Sequence, residues 1–148
     1  MFYTVGEMAK KLGVAPSTLR YYDKEGLLPF VERSSTGIRV FKEADYEWLK
    51  VIECLKKTGM QLKDIKIFIE MAMQGDDTID ERLELIQKQK VAVETQIAEL
   101  SEIHKVLEFK EWYYTTAKKA GTTAVPRNMT LSELPEEYRE IRIKLRGE

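Results

Sequence analysis

The chain is poor in the residue types that build most metal and redox sites, because its 148 residues include one cysteine, Cys54, and one histidine, His104. One cysteine excludes an intramolecular disulfide framework and is typical of a protein kept in a reducing cytoplasm. A lone histidine with no cysteine near it cannot assemble a zinc site of familiar ligands. The sequence also lacks a long apolar run and a signal-peptide pattern at its start. We therefore expect a cytoplasmic protein with no metal, no cofactor and no membrane-spanning segment.

The chain as a whole also lacks an excess of positive or negative charge, because its formal net charge is −1. The charges are unevenly distributed, however, because residues 1–42 contain seven Lys or Arg against four Asp or Glu. The first 42 residues therefore carry +3, and the remainder carries −4. Basic charge concentrated in one region is the electrostatic feature with which proteins contact the phosphates of nucleic acids.

Residues 4–26 predict two short helices joined by a tight turn. Thr4 and Glu7 have the spacing of a capping box, in which two side chains satisfy free N–H groups at the start of a helix. Gly13 ends the first helix, and Pro16 begins the second at a position where the missing N–H of proline is tolerated. Gly26 ends the second helix. Helix-turn-helix units of this kind place their second helix in the major groove of DNA.

The predicted second helix has a polar face suited to that groove. Leu19 and Tyr22 point to the core by their spacing, whereas Arg20 can pair with phosphate or, through two hydrogen bonds, with guanine. Short hydroxyl side chains at the start of the helix add further donors. The residues of this unit that we expect to contact DNA are Thr4, Ser17, Thr18, Arg20, Tyr21 and Lys24.

The segment Val31–Phe41 predicts a β-hairpin beside the two helices. Valine, isoleucine and phenylalanine supply the strand character, and a Ser-Ser-Thr-Gly run that ends at Gly37 supplies the turn. Arg33 and Arg39 flank the tip, so we expect both guanidinium groups, together with Gly37, to contact the DNA backbone. The combination predicts a winged helix-turn-helix; the alternative is a small helical core with a solvated hairpin.

Three segments, Tyr3–Val14, Thr18–Pro29 and Gly37–Phe41, closely resemble the MerR family of bacterial transcription regulators. The pattern Leu-Arg-Tyr-Tyr-x-x-x-Gly-Leu-Leu in the second segment is highly specific. The resemblance implies promoter DNA and RNA polymerase as partners, and a mechanism in which the regulator distorts DNA. Ile38 and Phe41 stand where the family often has tyrosine, so we expect no hydroxyl contact with phosphate at either position.

Two further helices are predicted after the hairpin. Glu43–Thr58 forms the third helix, and the fourth begins at Leu62, with Gly59 in the joint between them. Apolar residues recur at helical spacing on one face of each helix. By the resemblance, this second helix-turn-helix adds contacts to the DNA backbone and connects the DNA-binding domain to a dimer.

The chain then carries a seven-residue repeat. A second seam, from Leu83 to Glu111, alternates apolar and polar residues and includes His104, which we interpret as a register-restricting residue. The repeat predicts a coiled-coil helix that needs a partner, and the alternative is a helix that folds back on its own chain. By the resemblance, the partner is a second copy in an antiparallel homodimer bound to a pseudo-palindromic site. The uninterrupted apolar positions, called the first seam below, are Ile79, Ile86, Val93, Leu100, Leu107 and Tyr114.

These patterns predict a mainly α fold in which a winged helix-turn-helix DNA-binding domain precedes a long dimerisation helix. The DNA-binding domain with its second helix-turn-helix occupies residues 1–75, and the coiled-coil helix occupies 76–118. Residues 119–148 are predicted to form a loop and a short helix. Thr130–Glu133 has the spacing of a capping box at the start of that helix, and Gly147 ends it.

Cys54 is predicted to lie on the third helix, on the side opposite its apolar stripe. Lys50 and Lys57 lie one turn away on that side, and nearby cations favour the reactive thiolate. The run from Cys54 to Met60 is similar to that of the single-cysteine, aldehyde- and electrophile-responsive branch of the MerR family. The resemblance implies that Cys54 is the sensor; the alternative is a small residue packed under the fifth helix without chemistry.

The sequence is also compatible with other functions. A MerR-type regulator could bind a small molecule non-covalently, for example at the aromatic run Trp112–Tyr114. An architectural or adaptor protein could use the coil to bind a partner. An enzyme that uses the Cys54 thiol is not expected, because the sequence places no histidine or Asn/Asp partner near it.

Overall fold

In a computed structural model, residues 1–147 are described and confirm the mainly helical fold. The chain divides into two compact units, the first spanning Met1–Val93 and the second beginning at Glu94. None of the helices in the described range is long and apolar enough to cross a membrane. In chain order the elements are β1 (Phe2–Tyr3), α1 (Val5–Leu12), α2 (Pro16–Lys24), β2 (Glu32–Arg33), β3 (Arg39–Lys42), α3 (Glu43–Lys57), α4 (Leu62–Gln74), a 3₁₀ turn (Asp76–Thr78), α5 (Ile79–Ala120), α6 (Ala124–Arg127) and α7 (Glu136–Arg146).

The two ends of α1 form as the sequence predicts. The Glu7 amide donates to Thr4 Oγ1 at 3.2 Å, and the Thr4 amide donates to Glu7 Oε2 at 2.8 Å, which completes the capping box. Gly13 ends the helix with φ +80°, in the left-handed region that glycine adopts without a steric penalty. These local signals fix the entry and exit of α1, and therefore the position at which α2 begins.

A three-stranded antiparallel sheet in the order β1-β3-β2 supports the hairpin. Phe2 pairs with Lys42 and Tyr3 pairs with Phe41 on one side of β3. Arg33 pairs with Arg39 on the other side. The strand β1 is not predicted by the sequence analysis, because two residues are too few to show the period of a strand. Its pairing ties the start of the chain to the hairpin.

The core of the first unit gathers apolar side chains from all of its helices up to α4 and from β3. The start of α5 also packs on this core through Leu85. Gln89 Nε2 donates to Thr58 Oγ1 at 2.5 Å, which joins α5 to the end of α3. The buried cluster consists of Met8, Ala9, Leu19, Tyr22, Leu27, Leu28, Phe41, Leu49, Ile52, Leu55, Ile65, Phe68 and Ile69.

Thr78 stabilises the bend between α4 and α5. Its Oγ1 atom lies 2.6 Å from the Met71 carbonyl oxygen and 2.8 Å from the Gly75 carbonyl oxygen, so its single proton is shared between the two acceptors, and it accepts from Arg82 Nε at 3.0 Å. The side chain therefore satisfies carbonyl groups at the end of α4, where a helix leaves acceptors unpaired. The long helix α5 that follows has 42 residues, which corresponds to about 63 Å.

The second unit is built around aromatic side chains of α5 and α7. Phe109 is buried, and its ring lies 5.7 Å from that of Tyr138, centre to centre, while the Trp112 ring lies 5.6 Å from the same tyrosine. The rings of Trp112 and Tyr113 both pack against Phe109. Trp112 and Tyr113 of the aromatic run therefore pack inside the second unit.

The start of α7 differs from the sequence prediction. The Thr130 amide does donate to Glu133 Oε2 at 2.7 Å, but these residues form a separate turn and the helix begins at Glu136. Pro135 explains the shift, since a proline disfavours helical backbone at the residue before it. The loop predicted before this helix also contains a short helix, α6, at residues Ala124–Arg127.

Candidate nucleic-acid interface

The helix α2 has one buried face and one solvent-exposed face. Leu19 and Tyr22 are fully buried, as the spacing predicts. Ser17, Arg20 and Lys24 are exposed and Thr18 is half-buried. The exposed fraction of Tyr21 is 49%, which leaves a large amphipathic ring available to a partner. The side chains that we predict to meet DNA thus lie on one helix and outside the core.

Thr4 and Gly37 have structural roles beside the one predicted for them. The Thr4 hydroxyl caps α1, and the residue itself is exposed. Gly37 adopts φ +82° in the hairpin turn, where its amide donates to the Ser34 carbonyl at 2.9 Å. A side chain at position 37 would be strained because of this backbone conformation. Contacts of Thr4 and Gly37 with DNA remain predictions.

The basic residues of the first 42 positions fall into two groups. Four of them pair with carboxylates: Lys11 with Glu43, Lys42 with Glu32, and both Arg33 and Arg39 with Asp23. The other three form no ion pair within residues 1–147, so their positive charge is available to a partner. These three are Lys10, Arg20 and Lys24.

Asp23 joins α2, called the recognition helix below, to the hairpin. Its Oδ2 atom accepts hydrogen bonds from Arg39 Nε at 2.7 Å and from Arg33 Nη2 at 2.9 Å. The sequence predicts both arginines as contacts to the DNA backbone, but it does not single out Asp23. Its signal is an acidic side chain on an otherwise basic polar face, yet the pairing depends on how the hairpin folds against α2.

Tyr22 joins the recognition helix to α3. Its hydroxyl donates to Glu53 Oε1 at 2.5 Å and accepts from Lys56 Nζ at 3.1 Å. Burial, and then the hydrogen bond to Glu53, raises the pKa of the Tyr22 phenol well above its usual value, so the hydroxyl stays protonated and donates. A buried tyrosine hydroxyl usually has a partner, which is the signal that could have pointed to this contact.

Cys54 follows Glu53 on α3 and is exposed, as the helical spacing predicts. It borders an open depression of about 430 Å³ between α3 and the start of α5, lined mainly by apolar side chains that include Val51, Ile86 and Val93. Lys50 Nζ lies 5.9 Å from the centre of the Tyr46 ring, and Lys57 is exposed. The effect of these two lysines on Cys54 remains a prediction.

Five of the six residues of the first seam of α5 are exposed in the single chain, and Val93 is half-buried. The exposed fraction is 51% for Ile79, 40% for Ile86 and 65% for Leu100. It is 61% for Leu107 and 60% for Tyr114. A row of large apolar side chains with this exposure is typical of a surface that binds another protein or a second copy.

Two stretches of the chain match known protein families. Residues 3–72 match the family described as "MerR HTH family regulatory protein", and residues 46–108 match "MerR, DNA binding". An HTH-type transcriptional regulator of Haemophilus influenzae is 47% identical over 136 residues, which span 92% of this chain and 98% of that protein.

Solved structures agree with these matches. The chain is similar, with a TM-score of 0.78 and 49% identity, to HiNmlR, a MerR family regulator lacking the sensor domain that was crystallised bound to promoter DNA. That match covers 84% of this chain and 99% of the other. A MerR family regulator from Bacillus thuringiensis is 42% identical with a TM-score of 0.69, covering 74% of this chain and 96% of the other. The relatives are transcriptional regulators, not enzymes. The chain therefore belongs to the MerR family of DNA-binding transcriptional regulators.

Proposed function

We propose that the protein binds a pseudo-palindromic promoter site as a homodimer, in the cytoplasm, and switches transcription by distorting the DNA. RNA polymerase at the same promoter is the second partner. Two observations together carry the proposal: the first seam on α5 is largely exposed, and the recognition helix presents Arg20, Tyr21 and Lys24 to solvent. A structural neighbour with 49% identity was crystallised bound to promoter DNA, which supports promoter binding by this chain.

Two-fold symmetry explains why a dimer suits this function. One recognition helix of nine residues contacts only a half-site, and two half-sites read together give the affinity and the specificity that a promoter requires. The exposed part of the first seam supplies the apolar surface with which a second copy can pack.

The test of the proposal is to select operator duplexes from a randomised library with the full-length protein. Inverted half-sites are expected among the selected sequences.

Arg20→Ala is expected to weaken operator binding by about 1–3 kcal/mol if the guanidinium pairs with a base. Arg20 is exposed and forms no ion pair within residues 1–147, so its removal leaves no buried group without a partner. The measurement is the dissociation constant on the selected operator and on an unrelated duplex across a salt titration. Binding should fall steeply with salt, because phosphate neutralisation releases counterions.

A matched control for Arg20→Ala is Lys119→Ala, which removes one exposed positive charge near the end of α5. It should leave operator binding unchanged. If Arg20→Ala weakens binding to both duplexes equally, Arg20 contacts phosphate rather than a base. If it weakens neither, the recognition helix does not enter the groove through this residue.

Shortening the spacer of the target promoter by about two base pairs is expected to make transcription independent of this protein. A regulator that activates by distorting an overlong spacer supplies a deformation of a few kcal/mol, which a shorter spacer no longer needs. Two conformations of the protein could bias this deformation differently. The measurement is promoter activity with and without the protein, on the natural and shortened spacers; continued dependence on the shortened spacer would favour recruitment of polymerase.

Electrophile sensing at Cys54 is the regulatory part of the proposal. Three features support it: the thiol is exposed, it borders the depression beside α5, and it follows Glu53, which holds the recognition helix through Tyr22. An adduct on Cys54 would add bulk between α3 and the start of α5. It would therefore act on the helix that is bonded directly to the recognition helix.

Non-covalent sensing is the second candidate. The depression beside Cys54 is open in the single chain and lined mainly by apolar side chains, so it could also hold a small apolar molecule without forming a bond. Its lining residues Ile86 and Val93 belong to the first seam, which places this candidate site at the edge of the proposed dimer interface. The two candidates make different predictions for a chain without the thiol.

A further inference from the structure

The contact between the recognition helix and the hairpin is centred on one oxygen atom. Asp23 Oδ2 lies 2.7 Å from Arg39 Nε, 2.6 Å from Arg39 Nη2 and 2.9 Å from Arg33 Nη2. The Asp23 side chain is only 18% exposed. Hydrogen bonds between ionised groups are shorter and stronger than neutral ones, so this oxygen holds both arginines in defined positions.

The two arginines are held unequally. The Arg39 side chain is 25% exposed and directs two nitrogens at the carboxylate. The Arg33 side chain is 52% exposed and directs one nitrogen at the carboxylate, while its Nη1 donates to the Gly37 carbonyl at 2.9 Å. The two residues face each other across the strand pair β2–β3, so one carboxylate reaches both.

This difference separates the roles of the two side chains on DNA. A phosphate that approaches the hairpin competes with Asp23 for each guanidinium. Arg33 gives up one close nitrogen–oxygen contact with the carboxylate and is already half in solvent, whereas Arg39 gives up two such contacts, one of them a hydrogen bond, and is more deeply packed. The exchange therefore favours Arg33 for the phosphate and leaves Arg39 on the carboxylate.

We infer that Asp23 is a positioning residue that fixes the hairpin against the recognition helix through Arg39 and releases Arg33 to the DNA backbone. The inference deepens the proposed DNA-binding function and rests on it. Asp23 lowers binding to DNA of any sequence because it neutralises part of the basic hairpin. It raises preference for the operator because it holds the hairpin at the spacing that an operator-bound recognition helix requires.

Asp23→Ala is expected to move the two kinds of binding in opposite directions. Affinity for an unrelated duplex should rise, and the slope of log affinity against log salt on that duplex should steepen by about 0.9 for each arginine released to a phosphate. Affinity for the library-selected operator should fall, on the order of tenfold, so that the ratio of the two affinities collapses. A loss of folding would lower both affinities, so the opposite signs identify a positioning role.

Glu25→Ala is the matched control, because it removes the same charge two residues away from an exposed side chain that forms no ion pair within residues 1–147. Asp23→Glu, which keeps the charge on a longer side chain, should restore part of the operator preference. Arg39→Lys should reduce the preference more than Arg33→Lys, because a lysine cannot present two nitrogens to one oxygen.

Three results would overturn the inference. One is an Asp23→Ala protein that behaves as Glu25→Ala does on both duplexes, since the effect would then be charge alone. Another is a parallel fall of both affinities with a lower melting temperature, which would make Asp23 a folding residue. The third is an equal effect of the two arginine substitutions. A wild-type protein that selects no duplex would instead overturn the proposed function.

Discussion

Leu100→Asp is expected to convert the proposed homodimer into a monomer and to abolish operator binding at concentrations that saturate the wild-type protein. Leu100 lies in the middle of the first seam and is 65% exposed in the single chain, so it has no role in the core of its own unit. In a coil each dimer would bury two unpaired carboxylates, each at a cost of several kcal/mol. Sedimentation measures the mass, and a duplex titration measures the lost affinity.

Ala98→Asp is the matched control for this prediction. It adds the same carboxylate two residues earlier on α5, on a side of the helix that points away from the first seam. Both positions are exposed, so the cost of adding aspartate to the helix itself is similar. A Leu100→Asp protein that stays dimeric, like the control, would show that the first seam does not form the interface and that another surface pairs the two chains.

Local signals explain why the helices of the DNA-binding region could be predicted from the sequence. The Thr4–Glu7 capping box, Gly13 and Pro16 act within a few residues. The structure confirms the two helices whose ends these residues mark. The seven-residue repeat is also a local pattern. It predicts a long helix with an uncovered apolar stripe, and both features are found in α5.

Contacts between distant parts of the chain could not be predicted in the same way. Asp23 and Arg39 are 16 residues apart, and they meet only because the hairpin folds against α2. Tyr22 and Glu53 are 31 residues apart. Neither pair has a periodic signal, so the sequence indicates that a buried tyrosine and a lone acidic residue need partners but not which partners they find.

These long-range contacts change the interpretation of the basic hairpin. From the sequence, Arg33 and Arg39 are equivalent phosphate contacts, because both flank the turn. The structure gives them the same carboxylate partner but different exposure, and Arg39 brings two nitrogens to that carboxylate where Arg33 brings one. The difference depends on tertiary structure, and it separates a side chain that can contact DNA from one that positions the hairpin.

The Tyr22–Glu53 contact gives the proposed sensor a physical route to the DNA. Glu53 and Cys54 are neighbours on α3, and Tyr22 is the buried residue next to the exposed Tyr21 on the recognition helix. A shift or rotation of α3 therefore reaches the recognition helix through one hydrogen bond and the packing around it. A change of this kind in both subunits would alter the angle between the two recognition helices, and hence the DNA distortion.

Cys54→Ala and Cys54→Ser are expected to bind the operator as the wild type does but to lose transcriptional induction by aldehydes and quinones entirely. The thiolate is the nucleophile: its sulfur forms a bond to the carbonyl or ring carbon of the electrophile, and the oxygen of the electrophile takes up a proton from water. Neither alanine nor serine supplies a thiolate, and the exposed site tolerates both side chains. Promoter activity in cells and intact-protein mass after treatment measure the response and the adduct.

Val51→Ala is a useful companion, because it enlarges the depression beside Cys54 and keeps the thiol. Covalent sensing predicts that this variant still forms the adduct and still responds, whereas non-covalent sensing predicts that its response weakens with the loss of apolar contact. Normal induction of Cys54→Ala by aldehyde or quinone would show that the sensor lies elsewhere. In that case the depression between α3 and α5 becomes the first place to look for a non-covalent ligand, since Trp112 and Tyr113 are already engaged in packing with Phe109.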